Sequence, residues 1–117
     1  MTELDPGTLV AAATVGVPHE PLPADQIVAG SPSAGVLILD EREGREIGVW
    51  EMTPGTATDT EVDEVFIVLA GSATVRFDSP ELPAIELAPG SVVRLTAGMR
   101  TTWIVRETLR KVYVAAA

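Results

Sequence analysis

The chain has 117 residues, which is enough for one domain with a single hydrophobic core and too few for two. It has no cysteine and a single histidine, His19, so disulfides, thiolate metal sites and histidine-rich metal clusters are excluded. The net charge of −9 argues against a nucleic-acid partner, because such binding depends on Lys and Arg that neutralise phosphates. The first residues lack the cationic start of a signal peptide, and residues 9–17 are too few to span a bilayer. We therefore expect a cytoplasmic protein with no membrane partner.

Residues 1–23 are rich in Pro, Gly and Ala and show no sustained period, so they are predicted to form an N-terminal arm before a domain at 24–117. Asp5 and Pro6 are suited to begin a short helical turn over residues 9–13. The alternative is a loose arm that packs on the domain or on a neighbouring subunit. His19 is expected to be exposed in this arm, or to reach a neighbour's barrel.

After the arm, short apolar runs alternate with turn residues. They predict strands at residues 24–29, 36–39, 47–52, 65–69, 73–77, 85–87, 92–95, 101–105 and 109–114. Residues 40–46 are predicted as a charged turn with Gly44 at its tip, and Gly71 and Ser72 as the break in a central hairpin. No window keeps apolar residues at helical spacing for more than about one turn. Many short strands separated by turns predict an antiparallel sandwich or barrel.

The segment around Glu64 carries the sharpest functional signal. Because side chains alternate along a strand, Glu64 should share one face with Thr58, Thr60, Phe66 and Val68. The other face then carries three acidic residues, Asp59, Glu61 and Asp63. Clustered carboxylates resist burial, so this acidic face is predicted to point to solvent and Glu64 into the domain.

Four segments together resemble a known family. They are GVWEMTPG (48–55), EVFIVLAG (64–71), LAPGSVVRLTAGMRTTWIV (87–105) and ETLRKVYV (107–114). In this order they are similar to small single-domain cupins, in the group related to ureidoglycine aminohydrolase and ethanolamine-utilisation cupins. The resemblance implies an all-β fold, the cupin-type double-stranded β-helix or jelly-roll barrel, in a single domain that is commonly a homodimer.

Metal-binding cupins typically carry HxHxxx(x)E in a first motif and a third histidine in a second motif. The resemblance places the glutamate on Glu64 and, with the shorter spacing, the first two histidines on Thr58 and Thr60. The third histidine position falls on Thr101. Since three of the four usual ligands are threonines, no metal site and no cofactor are expected. A weakly bound divalent cation such as Mg²⁺ or Ca²⁺ is the alternative, because hard cations accept oxygen ligands.

Glu64 is the candidate catalytic residue. In a partly apolar cavity the pKa of a carboxyl rises unless a cation or a donor pairs with it, so Glu64 is suited to act as a general acid or base. The alternative is a structural glutamate bonded to a neighbouring Thr, Tyr or Arg. The candidate ligand-binding residues are those expected inside or at the mouth of the barrel: Trp50, Thr58, Thr60, Phe66, Arg100, Thr101, Trp103 and Tyr113. The alternatives are that the tryptophans belong to the core, as such rings more often do, and that Arg100 is a surface residue paired with the acidic strand.

Three functions remain open from the sequence. The first is a cupin that binds a small carboxylated or amino-containing metabolite in its barrel. The second is a metal-assisted hydrolase or isomerase of a small nitrogenous or sugar-like compound, with Glu64 as the acid or base. The third is a structural or regulatory dimer module whose barrel is filled by its own side chains.

Overall fold

The computed structural model describes residues 4–117, and every regular element in that range is a β-strand, so the all-β prediction is confirmed. The nine strands are β1 (Glu20–Pro21), β2 (Ile27–Ala29), β3 (Ser33–Arg42), β4 (Arg45–Met52), β5 (Gly55–Thr60), β6 (Glu64–Ser79), β7 (Glu81–Leu87), β8 (Val92–Leu95) and β9 (Arg100–Ala116). In residues 4–117 no helix is long and apolar enough to cross a membrane.

The charged segment at residues 40–46 forms a hairpin rather than a long turn. β3 continues to Arg42 and β4 begins at Arg45, so only Glu43 and Gly44 connect them. Both have positive φ angles, 55° and 74°, the conformation that a two-residue hairpin turn requires. The tip at Gly44 was predicted correctly, but the charged residues beside it belong to the strands.

Two long strands replace the four short ones predicted in the second half of the chain. β6 passes through Gly71 without ending, and β9 passes through residues 106–108. The two strands pair antiparallel along their length, with irregular register around residues 68–73 where they bend. A Cβ atom at Gly71 would lie only 2.1 Å from the Thr108 carbonyl oxygen, so glycine is needed for this close approach of the two backbones. The predicted central hairpin at Gly71 is therefore wrong.

β9 holds the barrel together. One of its edges pairs with β4 and β5, while the other pairs with β6, and β6 also pairs with β7 and β8. This arrangement curls the antiparallel sheet around an apolar interior. The core consists mainly of buried side chains from these strands, including Met52, Phe66, Val68, Val75, Leu95, Trp103, Val105 and Leu109.

The N-terminal arm packs on the outer face of the sheet. The predicted helical turn at residues 9–13 is displaced to residues 11–15, where the Val15 N–H donates to the Ala11 carbonyl oxygen (3.0 Å). Arg110 Nη1 donates hydrogen bonds to the carbonyl oxygens of Ala12 (2.9 Å) and Val15 (2.7 Å), and its Nε donates to Glu51 (2.9 Å). The His19 ring lies 2.7 Å from Glu51 and 2.9 Å from Ser33, with 19% of its side chain exposed. The prediction of an exposed His19 is therefore wrong. Residues 1–3 of the predicted arm lie outside the described residues.

Candidate functional site

A cavity of about 440 Å³ lies inside the barrel, next to the core. Apolar side chains form part of its wall, among them Trp50, Met52 and Trp103. The charged side chains that line it are four carboxylates and one ammonium: Glu46, Asp59, Glu61, Glu64 and Lys111. A cavity with this mixture of apolar walls and convergent polar groups is typical of a site for a small molecule.

Lys111 is the only lysine of the sequence, and β9 places it inside the barrel. Only 6% of its side chain is exposed. Its Nζ lies 4.2 Å from the ring centroid of Phe66 and 4.8 Å from those of Trp50 and Trp103. These ring faces attract the ammonium, since the face of an aromatic ring is electrostatically negative.

Glu64 is the charged partner of Lys111. The Nζ of Lys111 donates a hydrogen bond of 2.8 Å to Glu64 Oε2, and 9% of the Glu64 side chain is exposed. Glu64 therefore points inward as predicted. The cation beside it is a lysine, whereas the sequence suggested Thr, Tyr or Arg as its partner.

The prediction that Thr58 and Thr60 point inward with Glu64 is wrong, because the inward positions of β5 are shifted by one residue. Ala57 is buried in the core and pairs with Trp103, while Thr58 and Thr60 are exposed and lie on the rim of the cavity. The reason is that β5 ends at Thr60 and β6 begins at Glu64, so the intervening residues 61–63 break the alternation. With the longer spacing of the histidine motif, the matching positions are Ala57 and Asp59.

Glu61 is buried, although the sequence predicted it on an acidic outer face. It is 6% exposed, and its Oε2 accepts hydrogen bonds from the Thr101 hydroxyl (2.6 Å) and the Trp103 indole N–H (3.1 Å). The indole N–H also contacts Thr101 Oγ1 at 3.0 Å. These donors satisfy the buried carboxylate, which would otherwise be strongly unfavourable. The second-motif threonine thus binds a glutamate of its own chain.

Asp59 is a cavity carboxylate whose pKa is raised in the folded protein. It keeps contact with solvent at the rim, but partial burial, together with the nearby Glu61 carboxylate, raises its pKa from 3.8 to about 6. Within residues 4–117, its carboxylate accepts one hydrogen bond, from the backbone N–H of Thr60. Asp59 therefore retains acceptor capacity that faces the cavity.

Tyr113 lies on the same face of β9 as Lys111 and closes another side of the cavity. Its hydroxyl donates a 2.5 Å hydrogen bond to Glu46 Oε2. Burial, followed by the hydrogen bond and charge of Glu46, raises the pKa of the Tyr113 phenol above its usual range. Tyr113 is consequently a neutral hydrogen-bond donor at physiological pH. Its ring also covers Gly48, where an added Cβ would lie 2.5 Å from the hydroxyl oxygen.

A second cavity of about 590 Å³ adjoins the first. The two share Gln26, Thr58, Asp59 and Thr60, and the second is also lined by Asp25, Asp78, Ser79, Arg100 and Thr101. Arg100 is exposed on its wall. The structure therefore brings Trp50, Phe66, Trp103, Tyr113 and Glu64 together around Lys111, places Thr58 and Thr60 at the rim, and separates Arg100 from the ammonium.

The residues present do not fit the divalent metal of metal-binding cupins. Glu64 is bonded to Lys111, and the Thr101 hydroxyl is donated to Glu61. In residues 4–117 there is no group of three or more His, Cys, Asp or Glu side chains that could hold a metal ion. The ammonium of Lys111 already supplies a positive charge beside Glu64.

Three functional candidates were missed by the sequence analysis, namely Lys111, Asp59 and Glu61. Lys111 had a readable signal, because a sole lysine in the apolar segment KVYV alternates with Tyr113 and so shares its face. Asp59 and Glu61 had none, since their orientation depends on where β5 ends.

Comparison with known proteins supports the fold that these residues build. The solved structure of the EutQ protein of Clostridium difficile has a TM-score of 0.63 and 19% identity, over 73% of this chain and 63% of that one. A putative ethanolamine utilization protein Q from Salmonella typhimurium has a TM-score of 0.59 and 20% identity, over 74% of this chain and 70% of that one. A Pseudomonas syringae protein of unknown function has a TM-score of 0.74 and 17% identity.

The Pseudomonas match covers 89% of this chain and 46% of that one, so the chain spans less than half of its length. It likewise spans about 63% of the Clostridium protein. No curated protein matches the chain in sequence. At these identities the structures show a shared jelly-roll cupin fold. The family model for the EutQ-like cupin domain matches residues 39–113, and the chain therefore belongs to the EutQ-like cupin domain family.

Proposed function

We propose that the chain binds a small metabolite in its barrel, and that the ligand carries an amine or another hydrogen-bond donor. The observation that carries this proposal is the charge of the cavity, where four carboxylates face one ammonium. Glu64, Glu61 and Glu46 already accept hydrogen bonds from neighbouring side chains. Asp59 remains as the acceptor for a ligand donor, and it stands on the rim shared by both cavities. A carboxylated ligand is disfavoured, because it would meet a surplus of negative charge.

Isothermal titration calorimetry with small amines, amino alcohols and ureido compounds tests this proposal. Ethanolamine is a reasonable first probe, because it is a small amino alcohol and a structural neighbour is named for ethanolamine utilization. We expect binding that strengthens as the pH rises through the Asp59 pKa of about 6, since the carboxylate form accepts the donor. Asp59→Asn should weaken binding about tenfold, the loss of one charge-assisted hydrogen bond. Glu81→Gln, the same kind of change on exposed β7, is the matched control.

Catalysis is the second candidate function, and Asp59 is the observation that favours it. A carboxyl with a pKa of about 6 exchanges protons readily near neutral pH, which is the property of a general acid or base. Glu64, the predicted catalytic residue, is instead held by Lys111. The open cavity of about 440 Å³ weighs against a barrel filled by its own side chains. Turnover of a bound ligand that is lost in Asp59→Asn would establish catalysis.

We also propose a homodimer. Ile67, Val92 and Val114 are 43%, 66% and 42% exposed, and they lie on one face of the β8–β6–β9 sheet because Ile67 pairs with Val92 and Val65 pairs with Val114. Clustered exposed apolar side chains favour an interface, here with a second copy. Sedimentation of the purified chain should give a dimer, and Val92→Glu should give a monomer. A cytoplasmic location remains part of the proposal, for which cell fractionation is the test.

A further inference from the structure

We propose that Lys111 is a carbonyl-binding residue that forms an imine with a small aldehyde or ketone in the barrel cavity. The proposal adds a covalent step to the binding site described above and does not need the ligand donor that Asp59 would accept. It rests on the position of the lysine, on its contact with Glu64, and on the charge of the product.

The position of Lys111 is unusual for the residue type. Lysine is almost never fully buried unless it is paired, and its usual place is the surface. Here the single lysine of the sequence lies inside the barrel with 6% of its side chain exposed, and it lines the cavity of about 440 Å³. A primary amine that faces a cavity and has a carboxylate within proton-transfer distance can act as a nucleophile once its proton has moved to that carboxylate.

Glu64 supplies the proton transfers that imine formation requires. Its Oε2 is 2.8 Å from Lys111 Nζ, so a proton can pass directly from the ammonium to the carboxylate and leave a neutral amine. The amine nitrogen then forms a bond to the carbonyl carbon, and a proton moves from nitrogen to the carbonyl oxygen to give a carbinolamine. Glu64 returns its proton to that hydroxyl, the C–O bond breaks, and water leaves. The products are a protonated imine, a carboxylate and one water, so atoms and charges balance.

The surroundings of Lys111 stabilise the charged species at both ends of this reaction, so the neutral amine between them is the costly state. The rings of Phe66, Trp50 and Trp103 lie 4.2 to 4.8 Å from Nζ and stabilise a cation at that point. Because the protonated imine carries the same single charge as the original ammonium, those contacts and the pairing with Glu64 persist in the product. The three rings and Glu64 therefore stabilise the ammonium and the protonated imine alike, and the uncharged amine is only transient.

The size of the cavity restricts the carbonyl compound. About 440 Å³ is at the small end of ligand-binding cavities. A hydroxylated aldehyde suits it best, because Asp59 and Lys111 line the same cavity, where a hydroxyl can donate to Asp59 while the carbonyl group meets the amine. Glycolaldehyde is the simplest member of this class, and propionaldehyde is the matched compound without the hydroxyl.

The test is reductive trapping of the full chain. The protein is incubated with glycolaldehyde and sodium cyanoborohydride, whose hydride reduces the imine to a stable secondary amine. Intact mass and peptide mapping after cleavage at Glu then report the modified amine. Since Lys111 is the only lysine, the single other primary amine of the sequence is the N-terminal α-amine, which serves as an internal reference. Nα-acetyl-lysine amide in the same tube is the unstructured reference for a lysine side chain.

We expect Lys111 to be modified on the order of a hundredfold faster than Nα-acetyl-lysine amide, the low end of what positioned acid–base groups contribute. The rate should saturate with glycolaldehyde, and Glu64→Gln should remove most of the advantage. Lys111→Arg keeps the charge and should leave only the N-terminal adduct, with circular dichroism as the check on folding. Modification of Lys111 no faster than the model lysine overturns the proposal, and this comparison uses only the unaltered chain. That negative result would leave the proposed binding of an amine ligand unaffected, because calorimetry measures such binding without a carbonyl compound.

Discussion

The buried pair of Lys111 and Glu64 allows a quantitative prediction. Coulomb's law at an effective dielectric constant of about 20 gives roughly 6 kcal/mol of attraction at their separation. Both side chains are more than nine-tenths buried, at 6% and 9% exposure, so the desolvation of two charges offsets most of that attraction. Removal of one partner leaves the other charge buried with no ion to pair with. We therefore expect Lys111→Met to lower the free energy of unfolding by about 3–5 kcal/mol.

Glu64→Gln should lower the free energy of unfolding less than Lys111→Met does, by about 1–3 kcal/mol. The reason is that the amide oxygen still accepts a hydrogen bond from the ammonium. Replacing both residues, Lys111→Met with Glu64→Gln, removes both charges and should recover most of the stability. Urea unfolding of the four proteins gives the coupling energy as a double-mutant cycle. A coupling below about 0.5 kcal/mol, the limit for independent sites, would refute the claim that the two charges depend on each other.

Three further predictions concern Asp59, Gly48 and Arg110. Because the folded state raises the pKa of Asp59 from 3.8 to about 6, its stabilising contribution is present below pH 3.8 and is lost progressively as the pH rises through 6. Asp59→Asn should therefore gain in urea midpoint over the unaltered chain between those two values, with the full difference above about pH 6. Gly48→Ala should lower the free energy of unfolding by about 1–3 kcal/mol, because its methyl group would displace the Tyr113 ring. Gly16→Ala is the control in the same urea titration and should change little, since an added Cβ there has no atom within 4 Å. Arg110→Met should expose the arm to limited proteolysis because it loses three hydrogen bonds, while Arg106→Met, whose partner Glu86 is exposed, should leave the cleavage rate unchanged.

Strand composition predicted the fold well because the apolar runs are strongly β-branched. The run at residues 65–69 lies in β6, and Glu64 points inward as the sequence indicated. Local patterns could not show that β6 and β9 continue through Gly71 and Thr108, since those positions look like turns. They are instead the place where two backbones approach closely and bend together. That contact joins residues far apart in the sequence, so no window of neighbouring residues contains it.

The candidate site was predicted only in part for a similar reason. The structure brings Trp50, Phe66, Trp103 and Tyr113 together inside the barrel, and their role in binding stays a prediction. The threonines at 58 and 60 were assigned inward by counting back from Glu64 in steps of two. Three residues outside any strand lie between β5 and β6, and they shift that count by one. The position of Asp59 on the rim shared by the two cavities was therefore not predicted.

β9 is the last strand in the chain and pairs with three others, so the sheet can close only after β9 has been synthesised. β4, β5 and β6 each need β9 as a neighbour, yet residues 100–116 are synthesised after all of them. Until those residues exist, the earlier strands present unpaired edges and apolar faces, the state in which chains aggregate. Closure then depends on contacts between distant parts of the sequence, which form slowly. We therefore expect a chain truncated before residue 100 to remain unfolded and to bind chaperones. Substitutions in β9 should also reduce the yield of native protein more than equally buried substitutions in β3.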